Sequence, residues 1–298
     1  MKKEFTMEST TQGQVSVKIM ADGTISIKGL GGNVDRDTDI DSAMSIWKMY
    51  KNYRSNDIVI RSGSGLCGVY PYDPKQPTLT NYVENDTLHS TTVEELAQDV
   101  FRFYPGLFNS ADQIRIIHLL RYHDLGETVD NPDDGSKDHD EKFEEELATF
   151  ISKISYLVPA TQEQLIRDFI MFENADYLCW DEESKKMMQF AKLCDKADAP
   201  LGAFVYESQG RQVSLTYKKE HFGGITDQDE KYAQEISDYS QAGIWTAHMI
   251  DTYGRYKYIE IFIEIIIAAC KDIRGEIFPW MREFCEKRRV PNYLLDKM

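Results

Sequence analysis

The chain has 298 residues and a 42% hydrophobic content, which is enough for a buried core in one large domain or in two ordinary ones. Lysine and arginine total 34 against 50 for aspartate and glutamate, so the formal net charge is −16 at pH 7. This balance excludes a surface that follows the phosphates of a nucleic-acid polymer or an anionic membrane. A small phosphorylated ligand stays compatible with it, because one metal ion or a few local cations offset the global charge.

The cysteines and the apolar segments are typical of a soluble cytoplasmic protein. The five cysteines are scattered and never form a CxxC pair, which argues against a disulfide framework and a thiolate zinc site. The N-terminus lacks the apolar run of a secretory signal. The most apolar segment, residues 259–270, contains two glutamates and is too short to cross a bilayer core of ~30 Å. We therefore expect a buried helix there and no membrane partner.

Apolar periodicity predicts a mainly α fold with a small β element at the front. Residues 14–28 alternate apolar and polar on both sides of Asp22-Gly23, a pattern that predicts a β-hairpin. Further on, apolar residues recur at three- and four-residue steps, which predicts helices. The later ones are expected at about 93–104, 114–120, 141–156, 161–173, 181–206, 228–251, 255–273 and 276–287.

This pattern suggests three parts. Residues 1–40 form an N-terminal β-hairpin appendage, and residues 41–206 form a helical core. Residues 207–298 add helices that pack on the core or mediate the formation of a homodimer. An irregular connection rich in glycine and proline runs from about 54 to 86.

The segment "RIIHLLRYHDLGETVDNPDDG", residues 115–135, ends an apolar helix in His123-Asp124 and continues with several carboxylates. Adjacent side chains on a helix point about 100° apart, so this pair cannot pack against one core patch. A metal ion, a hydrogen-bond network or simple exposure would each account for the pair.

Two further residues favour the metal ion. His89 lies at the start of an amphipathic helix, where "STTVEE" is expected to supply capping residues, and Asp195 lies in a helix with an apolar face. The order is His89, His123-Asp124 and Asp195. Two neutral imidazoles and two carboxylates suit a divalent cation and leave octahedral positions open for water or substrate.

The order His, His-Asp, Asp resembles the HD-domain superfamily of metal-dependent phosphohydrolases, and most closely its 5'-deoxynucleotidase-like branch. The segments that carry the resemblance are "ENDTLHSTTVEELA", "YHDLGE" and "KLCDKADA", and it covers roughly residues 40–206. It implies a helical bundle of the HD-domain type. It also implies that His89, His123, Asp124 and Asp195 bind one divalent ion, which could be Mn, Co, Fe, Zn, Ni or Mg.

The resemblance implies roles for residues around these ligands. Glu127, expected on the same helical face as Asp124, matches the glutamate that positions the attacking water or takes its proton. The family has an acidic residue near the sugar in the following loop, where "TVDNPDDG" has no clean register, and Asp133 or Asp134 is the choice here. The family's phosphate-binding arginine precedes the first histidine, and Arg54 and Arg61 are both available.

The expected activity is therefore the hydrolysis of nucleoside 5'-monophosphates, with deoxynucleotides favoured. One alternative is a hydrolase of nucleoside polyphosphates, such as a dNTP or guanosine tetraphosphate. It would need several cations around the extra phosphates, for which the acidic loop leaves little room. The other alternative is a non-catalytic HD-fold module for ligand binding or regulation. The complete ligand set and Glu127 argue against it.

Overall fold

The computed structural model describes most of the chain from residue 86 onward and three strands before it. The described residues are 3–9, 13–19, 25–28, 86–127, 139–176, 181–208, 215, 227–290 and 295. Within them the protein is mainly helical with a small antiparallel sheet, which confirms the predicted fold class at this coarse level. The chain divides into two compact units, one of residues 1–61 and 85–191, the other of residues 62–84 and 192–298. The domain limits expected from the sequence stay a prediction.

The sheet of the first unit has three strands in the order β1-β2-β3, namely β1 (Lys3–Ser9), β2 (Gly13–Ile19) and β3 (Ile25–Lys28). Strands β2 and β3 form the predicted hairpin, with Ile19 opposite Ile25. Strand β1 pairs antiparallel with β2 and was not expected from the sequence. The alternation that buries Val17 and Ile19 on one face of β2 explains why this segment is a strand.

Five helices and one short 3-10 turn carry or support the residues of interest. They are α1 (Asp86–Phe103), α2 (Ser110–Tyr122), the 3-10 turn His123–Gly126, α3 (His139–Lys153), α4 (Pro159–Glu173) and α5 (Glu182–Ser208). Helix α5 begins in the first unit and ends in the second, because the division falls between Ala191 and Lys192.

The ends of these helices follow the local sequence. The Asn109 side chain caps α2 by accepting hydrogen bonds from the backbone N–H groups of Ala111 and Asp112, at 2.9 and 3.0 Å. Pro159 begins α4, where its missing N–H costs nothing. Helix α1 begins at Asp86, four residues earlier than the "STTVEE" segment predicted as its cap, so Glu94 is an interior residue of the helix.

A continuous apolar core joins the sheet to α3 and α4 in the first unit. Val17, Ile19 and Ile25 belong to the same cluster of buried residues as Leu125 of the 3-10 turn. Phe150 of α3 stacks on the ring of a buried phenylalanine of α4. The N-terminal sheet therefore contributes side chains to the core that supports the 3-10 turn.

The second unit consists, in its described part, of the end of α5 and four further helices. These are α6 (Asp227–Ile236), α7 (Gln241–Tyr253), α8 (Ile259–Arg274) and α9 (Met281–Lys287). Helix α7 contacts α6 and α9. The apolar segment predicted as a buried helix is α8, whose side chains Phe262, Ile263 and Ile266 are fully buried.

The single helix predicted over 228–251 is wrong, because α6 and α7 are separate. Ser237 adopts a positive φ of 53°, which ends α6. Ser240 then caps α7 by accepting a hydrogen bond from Gly243 N at 3.1 Å. The apolar periodicity continues across this break, so periodicity alone does not detect it.

The helices of the described residues do not include one that could span a bilayer. None of the helices in that part of the chain combines the length and the apolar composition that such a helix needs.

Candidate metal centre

The structure brings together three of the four residues predicted as metal ligands. His89 is the fourth residue of α1, while His123 and Asp124 open the 3-10 turn that follows α2. One ligand atom from each of the three side chains lies within 4.8 Å of the others, and all three residues are buried. Within the described part of the chain, no second group of three or more histidine, cysteine or acidic side chains lies close enough together to hold a metal ion.

The 3-10 turn is held in place by a close approach of α3. A Cβ atom added to Gly126 would lie 2.6 Å from the carbonyl oxygen of Glu146, so only glycine allows this contact. Leu125, the residue before it, is fully buried in the core of the first unit. The turn that carries two of the predicted ligands is thus fixed by packing on both sides.

The tautomer of His123 follows from its hydrogen-bond partner. Its Nδ1 atom lies 2.8 Å from the carbonyl oxygen of Leu120, which can only accept, so we assign the proton to Nδ1. In the neutral ring the lone pair is then on Nε2. The ring of Phe172 meets the imidazole edge to face, with centroids 5.4 Å apart, and restricts its rotation. His123 therefore has the orientation and the tautomer of a metal-ligating histidine.

Nitrogen and oxygen atoms of the three side chains lie close together. His123 Nε2 lies 3.1 Å from Asp124 Oδ1 and 3.3 Å from His89 Nε2, and His89 Nε2 lies 3.7 Å from Asp124 Oδ2. Two atoms that each lie about 2.1 Å from one ion are about 3.0 Å apart at a right angle and about 3.4 Å apart in a tetrahedron. The two distances from His123 Nε2 match these values, whereas the 3.7 Å between His89 Nε2 and the other oxygen of Asp124 is longer.

Asp195, the fourth predicted ligand, lies on α5 in the second unit. Its side chain is buried, and its Oδ2 lies 3.0 Å from Nζ of Lys196. Burial, together with the charge of Asp195, raises the pKa of the neighbouring Cys194 thiol well above its usual value, so this cysteine stays protonated and unreactive. The part of Asp195 in metal binding stays a prediction.

Glu127 follows the 3-10 turn directly and is buried. Its backbone is extended, with φ −69° and ψ 146°, so the prediction that it shares a helical face with Asp124 is wrong. Two contacts fix its backbone: its N–H donates to Asp124 O at 3.0 Å, and Lys153 Nζ donates to its carbonyl oxygen at 3.3 Å. Glu127 thus follows Asp124 by three residues, at the end of the turn.

Four residues predicted to bind substrate lie outside the described residues. They are Arg54, Arg61, Asp133 and Asp134. Their proposed roles rest on the sequence motifs alone.

Sequence reasoning missed several residues that lie around the predicted ligands in the structure. Phe172 gave no signal, since it looks like any core aromatic, and Gly126 was noticed only as the small residue between the His-Asp pair and the glutamate in "YHDLGE". Glu94 and Arg121 were also missed, although they form a two-point ion pair between α1 and α2. Only the sequence position of Arg121, two residues before His123, could have drawn attention to it.

Comparison of the sequence with protein-family models and with curated proteins, and comparison of the fold with solved structures, gives no match.

Proposed function

We propose that the chain is a metal-dependent phosphohydrolase that removes the phosphate of nucleoside 5'-monophosphates, with deoxynucleotides favoured. The observation that carries the proposal is the buried group of His89, His123 and Asp124, whose ligand atoms lie within 4.8 Å of one another. The resemblance of the surrounding motifs to HD-domain phosphohydrolases supports the assignment to this class.

The donor set supports a divalent cation. Imidazole nitrogen suits Zn, Fe, Co, Ni and Mn, and a carboxylate oxygen suits these and Mg as well. Two neutral histidines and Asp124 bring one negative charge, and Asp195 would bring a second. A divalent ion in this site would lower the pKa of a water molecule and polarise a phosphoryl oxygen. The ligands thus support a substrate that carries a phosphate ester in spite of the acidic surface.

The proposed roles of the remaining residues follow from charge and position. A buried carboxylate at Glu127 would orient the attacking water and accept its proton. Arg54 or Arg61 would bind the phosphate through two parallel hydrogen bonds, which a guanidinium forms with oxyanions.

The preference for deoxynucleotides is the most specific part of the proposal. A carboxylate of Asp133 or Asp134 that accepts a hydrogen bond from the 3'-hydroxyl would leave little space beside it for a 2'-hydroxyl. A small steric or polar difference of this kind contributes about 1–3 kcal/mol, or roughly 10- to 200-fold in kcat/KM. We expect dAMP to be hydrolysed faster than AMP by a factor in that range.

The test is metal analysis of the purified full chain combined with a phosphate-release screen. The screen would include dAMP, AMP, a dNTP and guanosine tetraphosphate, each with Mn²⁺, Co²⁺ or Mg²⁺ added. Release of phosphate from monophosphates by the metal-loaded protein supports the proposal. Equal rates on dAMP and AMP would reject the preference for deoxynucleotides alone. Metal-loaded protein that releases nothing from any of these compounds would contradict the phosphohydrolase assignment.

A further inference from the structure

A two-point ion pair joins the two helices that carry the predicted ligands. Arg121 Nε donates to Glu94 Oε2 at 2.7 Å, and Arg121 Nη2 donates to the other carboxylate oxygen. Gln98, one turn further along α1, donates from Nε2 to Glu94 Oε1 at 3.0 Å. Glu94 is buried. A planar guanidinium bound through two parallel hydrogen bonds fixes both the distance and the relative orientation of the two side chains.

The pair lies close to the ligands in the chain. Glu94 follows His89 by five residues on α1, about 7.5 Å along the helix axis. Arg121 belongs to the last turn of α2 and precedes His123 by two residues. A change in the spacing of α1 and α2 at this point would therefore change the distance between His89 Nε2 and His123 Nε2, now 3.3 Å.

We propose that Glu94 and Arg121 are positioning residues that hold His89 at ligand distance from His123 and Asp124, and so set the affinity of this group for its cation. This inference rests on the proposed function, because it needs a metal site at these three residues. It assigns to Glu94 and Arg121 no contact with substrate or with the ion.

A second ion pair on the same helix serves as a matched control. Arg115 of α2 forms the same two-point contact with Asp168 of α4, through Nε at 2.9 Å to Oδ1 and 3.0 Å to Oδ2 and through Nη2 to Oδ1. The two arginine side chains are similarly exposed, at 31% for Arg115 and 43% for Arg121, and both carboxylates are buried. Asp168 lies on α4, which packs on His123 through Phe172 but carries none of the predicted ligands, so this pair connects α2 to a helix without a ligand.

Charge and geometry predict opposite effects for the removal of Arg121. Loss of a positive charge near the site would strengthen the binding of a cation by electrostatics alone. Loss of the positioning contact would weaken it, since mutation of groups that orient metal ligands usually costs about 10- to 100-fold in affinity. The direction of the change in Arg121→Met therefore separates the two effects.

The experiment is a Co²⁺ titration of the metal-free full chain, followed by the visible absorption of bound cobalt. The variants are Arg121→Met, Arg121→Lys and Glu94→Gln, with Arg115→Met as the control. We expect at least about 10-fold weaker binding and an altered cobalt spectrum in Arg121→Met. We expect Arg115→Met to bind within about twofold of the wild type, since Asp168 is not on a ligand-carrying helix. If Arg121→Met does not fold, Arg121→Lys carries the test, because it keeps the charge and loses the second hydrogen bond.

Several results would overturn the inference. Tighter Co²⁺ binding in Arg121→Met would show that charge dominates, and equal losses in Arg121→Met and Arg115→Met would show a general effect of helix packing. Unchanged affinity in all variants would reject the inference and leave the proposed function intact. A wild-type chain that binds no Co²⁺ would instead reject the metal site, and with it both proposals.

Discussion

His123 Nε2 lies 3.1 Å from Oδ1 of Asp124, its neighbour in the chain. Adjacent helical side chains diverge by about 100°, so packing gives these two no reason to meet. The hydrogen bond from His123 Nδ1 to Leu120 O leaves the lone pair of a neutral ring on the atom that faces the carboxylate. A cation or a proton accounts for the approach of these two atoms, and His89 Nε2, 3.3 Å from His123 Nε2, would be a third ligand atom for a cation.

Replacement of Asp124 by asparagine should remove the bound metal while the chain stays folded. An amide oxygen lacks the charge that the cation needs, and we expect the affinity to fall by at least about 100-fold. Metal content per chain and circular dichroism would be measured together. Asp168→Asn is the control, because Asp168 is a buried carboxylate outside the group. It should lose stability and keep its metal, and full metal occupancy in Asp124→Asn would show that the group is wrongly assigned.

Gly126→Ala should both destabilise the first unit and weaken metal binding. The added methyl group would lie 2.6 Å from Glu146 O and 3.0 Å from Glu146 Cβ, so the turn or α3 has to move. Overpacking of this kind costs about 1–3 kcal/mol, which a urea unfolding curve would measure.

Gly106→Ala provides the comparison for this variant. Gly106 has a φ of 94° and no atom of the described residues within 4 Å of its Cβ position. An alanine there should lower the free energy of unfolding by about 1–2 kcal/mol through its backbone conformation, and it should not change the 3-10 turn. Metal affinity should therefore fall in Gly126→Ala and stay constant in Gly106→Ala, and the same affinity in both would argue against a role of the turn.

Part of the fold could be predicted because local sequence determines it. The hairpin of β2 and β3 has strict alternation around Asp22-Gly23, and the positions of most helices follow from apolar periodicity. Strand β1 was missed because its sequence contains few apolar residues, such as Phe5 and Met7. The pairing of β1 with β2 could not be predicted from so weak a pattern. Ser240, which caps α7, could have indicated the start of a new helix. The apolar pattern continues across it, however, and favoured a single helix.

The candidate site could also be predicted only in part from the sequence. The order of His89, His123 and Asp124 pointed to a shared group, and the structure brings their ligand atoms together. The contacts that orient the group link residues far apart in the sequence: Phe172 with His123, and Glu94 with Arg121. Such contacts depend on tertiary packing, which no local pattern encodes.

His248 should make the stability of the second unit depend on pH. Burial, and then the charge of Lys196, lower its pKa from 6.5, although Asp229 and Asp251 act in the opposite direction. Below pH 6.5 the unfolded chain therefore binds a proton at this residue that the folded chain does not bind. Stability contributed by the neutral ring is present above this pH and is lost as the pH falls toward the lower value of the folded state.

The measurement for His248 is urea unfolding at about pH 7.5 and about pH 5.5, where aspartates remain ionised and do not obscure the effect. His248→Gln should lose less stability between these two conditions than the wild type. The pKa of His118 is also lowered, by burial and by Arg121, but His118 belongs to the first unit, so its contribution is measured separately in His118→Gln. An identical loss in the wild type and in His248→Gln would rule out this residue as the cause.

Glu127→Gln should reduce the rate of hydrolysis and leave metal binding unchanged. Glu127 is buried at the end of the 3-10 turn, with its backbone fixed by Asp124 O and Lys153 Nζ. An amide of the same shape cannot accept a proton, so kcat should fall by about 10²–10⁴ while KM changes little. Asp168→Asn is the matched control: Asp168 is also a buried carboxylate, it lies outside the group, and its replacement should keep kcat within about twofold. A normal kcat in Glu127→Gln with metal bound would remove Glu127 from the reaction, whereas a loss of metal would show that it acts as a ligand.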